Sequence, residues 1–178
     1  MKMSVKKKIS LLIDLVAFAV LVSFDQFTKY LAVVYLKDQN SIQLIPGVLE
    51  LTFLKNNGAA FGILQNQKVF FIMIAIVILA VIGYVLIRLP EGGRFLSMQI
   101  LLVMIAGGAA GNMIDRVRHE YVVDFIYFVI IHFPVFNVAD IYVTVATFIF
   151  VILFLFLYEE KDFDFLTFRQ QKKYRKIK

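Results

Sequence analysis

The chain has 178 residues, of which 61% are hydrophobic, and its mean hydropathy is +0.81. Soluble domains are about 45–50% apolar, so this composition excludes an ordinary soluble protein and predicts lipid as the surrounding medium. There is no cysteine, which excludes disulfides and thiolate metal sites. The net charge of +6 comes largely from basic residues beside hydrophobic runs, which indicates an anionic membrane surface, not nucleic acid, as the partner.

Four hydrophobic runs are long enough to cross a membrane, since a spanning helix needs about 20 mostly apolar residues. They cover residues 9–30, 69–87, 95–114 and 141–158. Lys6, Lys7 and Lys8 precede the first run, as they would in a cleavable signal peptide. The apolar core of such a peptide has only about 7–15 residues and a small-residue cleavage site follows it. The first run is longer and has no clear site, so we expect it to remain as a helix.

Lysine and arginine predict the orientation of the spans. They are concentrated in the N-terminal flank, in the short hairpin over residues 88–94 and in the tail. Such segments stay on the cytoplasmic side, and an even number of spans places both termini there. We therefore predict one four-helix transmembrane domain over residues 1–160 and a basic cytoplasmic tail over residues 161–178.

Two longer segments, residues 31–68 and 115–140, then lie on the outer side. In the first, residues 41–54 combine β-favouring side chains with the turn formers Pro46 and Gly47, which predicts a small extracytoplasmic sheet. In the second, residues 121–136 are apolar but interrupted by Asp124 and Pro134. This stretch is too short and broken to span, so we expect it to lie in the membrane interface.

Polar side chains at the outer ends of the spans are candidates for a functional site, because a charge at bilayer depth costs at least ~2.5–3.5 kcal/mol. Asp25 lies about 24 Å along the first helix, and Lys29 follows on the same face, where the two can pair. The polar residues that three spans bring to this level are Asp25, Lys29, Asn112, Asp115, Arg116, Asn137 and Asp140. Each alone could be an interfacial anchor or a helix cap, but their common level favours a site.

Small residues indicate close packing at the same level. Gly107 and Gly111 form a GxxxG pair just before Asn112, and such pairs let helix backbones approach closely. The stretch 56–62, Asn-Asn-Gly-Ala-Ala-Phe-Gly, predicts a turn-forming loop on the outer side whose asparagines offer hydrogen bonds.

A pair of carboxylates is the chemistry that fits these residues best. Two aspartates that share a proton can activate water for amide hydrolysis, since one acts as base while the other polarises the carbonyl. Asp124 in an apolar run and Asp140 at a helix start have suitably different environments. A zinc site with Asp115 and His119 is a weaker alternative, and the sequence has no HExxH pattern or phosphate-binding loop.

Several blocks of the sequence resemble the bacterial lipoprotein signal peptidase family, also called signal peptidase II. They are residues 25–29 (Asp-Gln-Phe-Thr-Lys), 57–62, 107–116, 123–125 and 136–140, and they run in the family's order. The resemblance implies a membrane protein of mainly α fold. It would have four transmembrane helices, a small extracytoplasmic β-cradle and an interfacial lid segment.

The resemblance also implies roles for individual residues. Asp124 and Asp140 would be the catalytic pair, working without metal or cofactor. The supporting or substrate-binding residues would be Asp25, Lys29, Asn57, Gly58, Asn112, Asp115, Arg116 and Asn137. The substrate would be a prolipoprotein whose cysteine already carries diacylglycerol, cut just before that cysteine. Membrane lipids would surround the site, and the cyclic peptide globomycin would inhibit it.

Two other functions remain open from the residues alone. A small transporter or channel would use the carboxylates as an ion relay, and it predicts polar residues through the full depth of the spans. The second span has only Tyr84, and Asp14 is the sole acid on the inner side, where we interpret it as interfacial. A non-enzymatic scaffold protein predicts instead that Asp124 and Asp140 can each become asparagine without loss of function.

Overall fold

The computed structural model of the protein describes residues 3–58 and 65–167, which form four long helices and one sheet. The helices are α1 (Val5–Leu36), α2 (Lys68–Arg88), α3 (Leu96–His119) and α4 (Val138–Phe156). The strands are β1 (Ile42–Ile45), β2 (Leu49–Asn56) and β3 (Val122–Phe128). The predicted fold, mainly α with a small sheet, is confirmed.

All four predicted spans are helices, and each is long and apolar enough to cross a membrane. The first residues of α1 and α4 differ from the predicted ones, because a capping side chain and not the hydropathy sets where each helix begins. The side chain of Ser4 accepts a hydrogen bond from Lys7 N at 3.0 Å, so α1 begins at Val5. Asn137 caps α4 in the same way and starts it three residues earlier than predicted.

The centre of the bundle is α3, which packs against the other three helices. In its most apolar stretch 44% of the residues are buried inside the protein, against 6–11% in the others. Large apolar side chains on the outer faces, such as Val69 and Phe148, remain exposed. Surfaces of this kind need lipid around them, so the chain is a multi-pass membrane protein.

Strand β3 completes an antiparallel sheet with the order β1-β2-β3. It comes from the apolar outer segment, for which the sequence analysis predicted no strand. Val122, Val123 and Phe125 are all buried. A continuous apolar run lacks the alternation that marks a half-buried strand, so the sequence pattern did not reveal it.

Glycines on α3 allow the neighbouring helices to come close. A Cβ atom at Gly108 would lie 2.5 Å from the carbonyl oxygen of Ala139 and 2.6 Å from Val143 Cγ2. One at Gly107 would lie 3.0 Å from Leu21 Cβ on α1. The predicted close packing at these small residues is therefore present, and it brings both α1 and α4 close to α3.

Buried polar contacts join the other end of the bundle. Gln99 Nε2 donates to Asp14 Oδ1 at 2.6 Å, and Asp14 is buried between α1 and α3. Lys7 Nζ donates to the carbonyl oxygens of Leu86 and Leu89 at 2.6 Å each. These bonds satisfy carbonyls that the end of α2 leaves unpaired.

The chain after α4 folds back towards the hairpin between α2 and α3. Residues Glu160–Leu166 form a 3₁₀ helix whose Asp162 binds Arg94 with N–O distances of 2.8 and 2.5 Å. Phe163 and Phe165 pack against the hydrophobic core. The first part of the predicted tail is therefore packed onto the bundle, and its basic residues from 169 onwards lie outside the described residues.

We expect Gly108→Ala to destabilise the protein, because the new methyl group meets the backbone of Ala139, next to the helix start. Overpacking of this kind costs about 1–3 kcal/mol, which should appear as a melting temperature several degrees lower in detergent. Gly83→Ala on α2 is the matched control, since a Cβ there meets nothing within 4 Å. Equal melting temperatures for the two variants would contradict the packing described.

Candidate active site

A buried lysine on α1 gathers three partners at the outer level. Lys29 Nζ lies 2.9 Å from Asp25 Oδ2, 3.1 Å from Asp115 Oδ2 and 2.8 Å from Asn112 Oδ1. Asp25, Lys29 and Asp115 are all buried. The predicted pairing of Asp25 with Lys29 is confirmed. One cation between two carboxylates offsets part of the cost of burying all three charges.

Gln26 completes this group, and the sequence analysis did not single it out. Its Nε2 lies 2.8 Å from Asp115 Oδ1, 3.2 Å from Asp25 Oδ2 and 3.2 Å from the carbonyl oxygen of Gly111. The neutral side chain of Gln26 thus donates hydrogen bonds to the same two carboxylates that bind Lys29. The only signal in the sequence was its place next to Asp25 in the first family block.

The Lys29 cluster, defined as Asp25, Gln26, Lys29 and Asp115, also holds two stretches of backbone. Asp115 Oδ2 accepts a hydrogen bond from Val123 N at 3.0 Å. Asp25 Oδ1 accepts one from Ala139 N at 2.9 Å. Val123 immediately precedes Asp124 and Ala139 immediately precedes Asp140, so the cluster positions the backbone that carries both candidate catalytic residues.

Asp124 sits on β3, only 1% exposed, and receives two amide hydrogen bonds. Asn56 Nδ2 donates to its Oδ2 at 2.8 Å, and Asn137 Nδ2 donates to its Oδ1 at 2.6 Å. The sheet supplies the first donor and the start of α4 supplies the second. Each carboxylate oxygen of Asp124 therefore accepts a hydrogen bond, one from the sheet and one from the residue that caps α4.

Asp140 is held at the first turn of α4. Asn137 N donates to Asp140 Oδ2 while Asp140 N donates to Asn137 Oδ1, both at 3.1 Å, which is a capping box. Asn112 Nδ2 donates to Asp140 Oδ1 at 2.8 Å. The other end of the Asn112 amide faces Lys29, which fixes its orientation. Asn137 touches both aspartates and so joins them.

Burial and the nearby charge of Asp140 raise the pKa of Asp124 to about 7, although the hydrogen bonds from Asn56 and Asn137 favour its charged form. A carboxyl group with this pKa is partly protonated at neutral pH. Asp124 can therefore carry a proton at neutral pH while it lies near a second carboxyl group, that of Asp140.

Both aspartates line one cavity of about 500 Å³. Its polar lining includes Asn56, Asn112, Arg116, Asp124 and Asp140, and its apolar lining includes Phe71, Phe133, Phe136, Ile141 and Val145. Ile141 is 39% exposed and Val145 is 42% exposed, so the apolar wall continues into the outer surface of α4. A few polar groups in a mostly apolar cavity are typical of a ligand site.

Arg116 ties the loop after β2 to this cavity. Its NH2 donates to the carbonyl oxygen of Gly58 at 3.0 Å, and its guanidinium lies 4.5 Å from the centre of the Phe71 ring. Asn66 N donates to the carbonyl oxygen of Asn57 at 2.9 Å, so the two ends of the loop meet. The predicted Gly58 and Arg116 therefore contact each other at the rim of the cavity.

Nine predicted residues form connected contacts around the cavity: Asp25, Lys29, Gly58, Asn112, Asp115, Arg116, Asp124, Asn137 and Asp140. Asn57 differs, because its side chain is exposed and makes no hydrogen bond within residues 3–58 and 65–167. Its neighbour Asn56 binds Asp124 instead. The sequence block contains both asparagines, and only the pairing of β2 with β3 decides which one points inwards.

A sequence model of the family described as Signal peptidase (SPase) II matches residues 17–156. This chain belongs to the signal peptidase II family. The lipoprotein signal peptidase of Brevibacillus brevis is 47% identical over 134 residues, which are 75% of this chain and 89% of that protein. The enzyme of the same name from Caldanaerobacter subterraneus is 49% identical over 136 residues, covering 76% and 90%.

Solved structures of bacterial membrane enzymes share the fold of this chain. One, described as a bacterial membrane enzyme structure by the in meso method at 2.3 Å resolution, has a TM-score of 0.72 at 38% identity and covers 80% of this chain and 87% of its own. A second, described in the same words at 1.9 Å resolution, has a TM-score of 0.71 at 37% identity, with coverages of 82% and 94%. The resemblance to signal peptidase II is confirmed, and membership implies a membrane peptidase.

We expect Asn56→Ala to shift the pH dependence of this signal peptidase II. The hydrogen bond from Asn56 lowers the pKa of Asp124, so its removal should raise that pKa further above about 7. An activity that needs a proton on the pair falls as pH rises through this pKa. The alkaline limb of kcat/KM should therefore move to higher pH in the variant.

Asn57→Ala is the matched comparison, because its side chain is exposed one residue away. Its alkaline limb should stay where the wild-type limb lies. A shift in Asn57→Ala but not in Asn56→Ala would contradict the assignment of the donor.

Proposed function

We propose that this protein is an aspartic endopeptidase that removes signal peptides from diacylglyceryl-modified prolipoproteins, with Asp124 and Asp140 as its catalytic pair. One observation carries the proposal: the two carboxylates line the same cavity, share Asn137 as a partner, and include one group whose pKa is about 7. The relatives named lipoprotein signal peptidase support the substrate class.

The proposed reaction uses one water molecule and one shared proton. One carboxylate takes a proton from the water, whose oxygen attacks the carbonyl carbon of the scissile bond, while the protonated carboxyl polarises the carbonyl oxygen. The pair then gives a proton to the leaving nitrogen as the C–N bond breaks. The products are a signal peptide with a new carboxylate and a lipoprotein with a free amine on its cysteine. Because the pair makes every proton transfer, this reaction needs neither metal nor cofactor.

The shape of the cavity suits a substrate held by a lipid. A cysteine that carries diacylglycerol keeps its acyl chains in the membrane, so its preceding peptide bond lies near the interface. Ile141 and Val145 form a wall that continues into the lipid-facing surface of α4, while the aspartates lie at the polar end. Acyl chains can then remain in lipid while the scissile bond reaches the pair. This placement supports the proposed cleavage just before the lipidated cysteine.

The segment before α4 is the proposed lid. It contains the 3₁₀ helix Val129–Ile131, and its residues Phe133, Pro134 and Phe136 line the cavity. Closing apolar side chains over the pair would limit the access of bulk water. We also propose globomycin as an inhibitor at this cavity, on the basis of the family resemblance.

The roles of Asp124 and Asp140 are tested with purified protein in detergent and a diacylglyceryl-modified prolipoprotein. We expect Asp124→Asn and Asp140→Asn each to lose about 10²–10⁴-fold in cleavage rate, because an amide cannot exchange the proton. Globomycin should inhibit the wild type, and the unlipidated precursor should stay uncut.

Asp38→Asn is the control for these substitutions, since Asp38 is exposed outside the cavity. It should cleave at the wild-type rate. Full cleavage by either site variant would overturn the catalytic assignment, and a folded wild type that never cleaves would favour the transporter or scaffold function.

The proposed orientation places both termini in the cytoplasm and the cavity near the outer face of the cytoplasmic membrane. Because the chain has no cysteine, single introduced cysteines report it cleanly. We expect Asn40→Cys, after α1, to react with a membrane-impermeant maleimide in intact cells. Glu91→Cys, between α2 and α3, should react only after the membrane is permeabilised. The opposite pattern would contradict the orientation.

A further inference from the structure

The cavity contains a polar side chain that the proposed reaction does not use. Thr144 lies on α4 one helical turn after Asp140 and lines the same cavity. Four residues correspond to about 6 Å along a helix, so Thr144 lies that much farther from the polar end than Asp140. Its neighbours on this wall, Ile141 and Val145, are apolar. A single hydroxyl therefore interrupts the apolar wall.

The Thr144 hydroxyl makes no hydrogen bond with the part of the chain that the structure describes. Threonines in helices commonly turn this group back to a carbonyl of the preceding turn. Thr28 does so on α1, where its Oγ1 donates to the carbonyl oxygen of Asp25 at 2.8 Å. Thr144 is exposed, so its hydroxyl is open to a ligand, and a ligand or lipid that covers it without offering a partner would make it unfavourable. A bound ligand with an acceptor at this point would remove that cost.

The proposed substrate carries such acceptors to this depth. Its backbone must be extended at the scissile bond to lie between the two aspartates, so carbonyl groups beside that bond have no helical partner. Backbone groups at membrane depth need partners from the protein. The diacylglyceryl group adds two ester carbonyls, which can accept hydrogen bonds but cannot donate them. Either source presents a carbonyl oxygen to the apolar wall of the cavity.

We propose that Thr144 Oγ1 donates a hydrogen bond to a carbonyl oxygen of the substrate, one helical turn inward from the scissile bond. The inference rests on the proposed peptidase function and adds a substrate-binding residue to it. Because the surrounding wall is apolar, a substrate that lacks a carbonyl at this point gains nothing from the hydroxyl. Thr144 therefore contributes to specificity as well as to affinity.

The test compares Thr144→Val with wild type on a diacylglyceryl-modified prolipoprotein. Valine keeps the shape of threonine and replaces its hydroxyl with a methyl group. We expect kcat/KM to fall by up to about tenfold, mostly through a higher KM, as for one lost hydrogen bond. Thr144→Ser, which restores a hydroxyl, should recover most of the loss. If Thr144→Val does not fold, Thr144→Ala replaces it.

Thr147→Val is the matched control, because Thr147 lies on the same helix outside the cavity lining. It should keep the wild-type kcat/KM. An equal fall in Thr147→Val would overturn the proposal, since the loss would then reflect α4 as a whole. Wild-type kinetics in Thr144→Val would overturn it too while leaving the peptidase function intact. A folded wild type without any cleavage would remove the peptidase function and this inference with it.

A second substrate identifies which carbonyl is bound. In a dialkyl ether analogue the lipid has no ester carbonyl, while the peptide is unchanged. If the difference between wild type and Thr144→Val persists on the analogue, the acceptor is a peptide carbonyl. If the difference disappears because the wild type falls to the level of the variant, the acceptor is a lipid ester.

Discussion

Lys29 is buried at a depth where a charge without a partner is very costly, and the rest of the site follows from how that charge is satisfied. Asp25 and Asp115 bind it from α1 and α3. The same two carboxylates also accept the backbone N–H groups of Val123 and Ala139. The partners that neutralise one buried lysine thereby also position a strand and a helix start that lie far from that lysine in sequence.

Lys29 is close to Asp140 of the candidate catalytic pair, yet the side-chain amide of Asn112 lies between them. Asn112 presents its oxygen to Lys29 and its nitrogen to Asp140. Direct contact with an ammonium would favour the charged form of a carboxylate. Burial and like charge instead raise the pKa of Asp124. The structural cation is thereby kept out of direct contact with Asp140.

Small residues let the helices meet closely enough for these contacts. Gly108 lies against the first turn of α4, and Gly111 lies against Asp25 of α1. Neither glycine has a side chain that would hold these groups away from α3. On its far side α4 presents Ile141, Thr144 and Val145 to the cavity and continues into the lipid-facing surface. One helix thus packs against the bundle, carries Asp140 and forms the wall that a lipidated substrate would contact.

Hydropathy and helical spacing alone determined the four spans and the pairing of Asp25 with Lys29, because both depend on residues close in sequence. The family blocks also indicated most of the residues that meet around the cavity. Tertiary structure alone decided that residues 122–128 form a strand, that Asn56 and not Asn57 reaches Asp124, and that Gln26 joins the Lys29 cluster. These features depend on strand register and on contacts between helices. Both bring together residues that are far apart in sequence, and a local sequence pattern carries no information about such pairs.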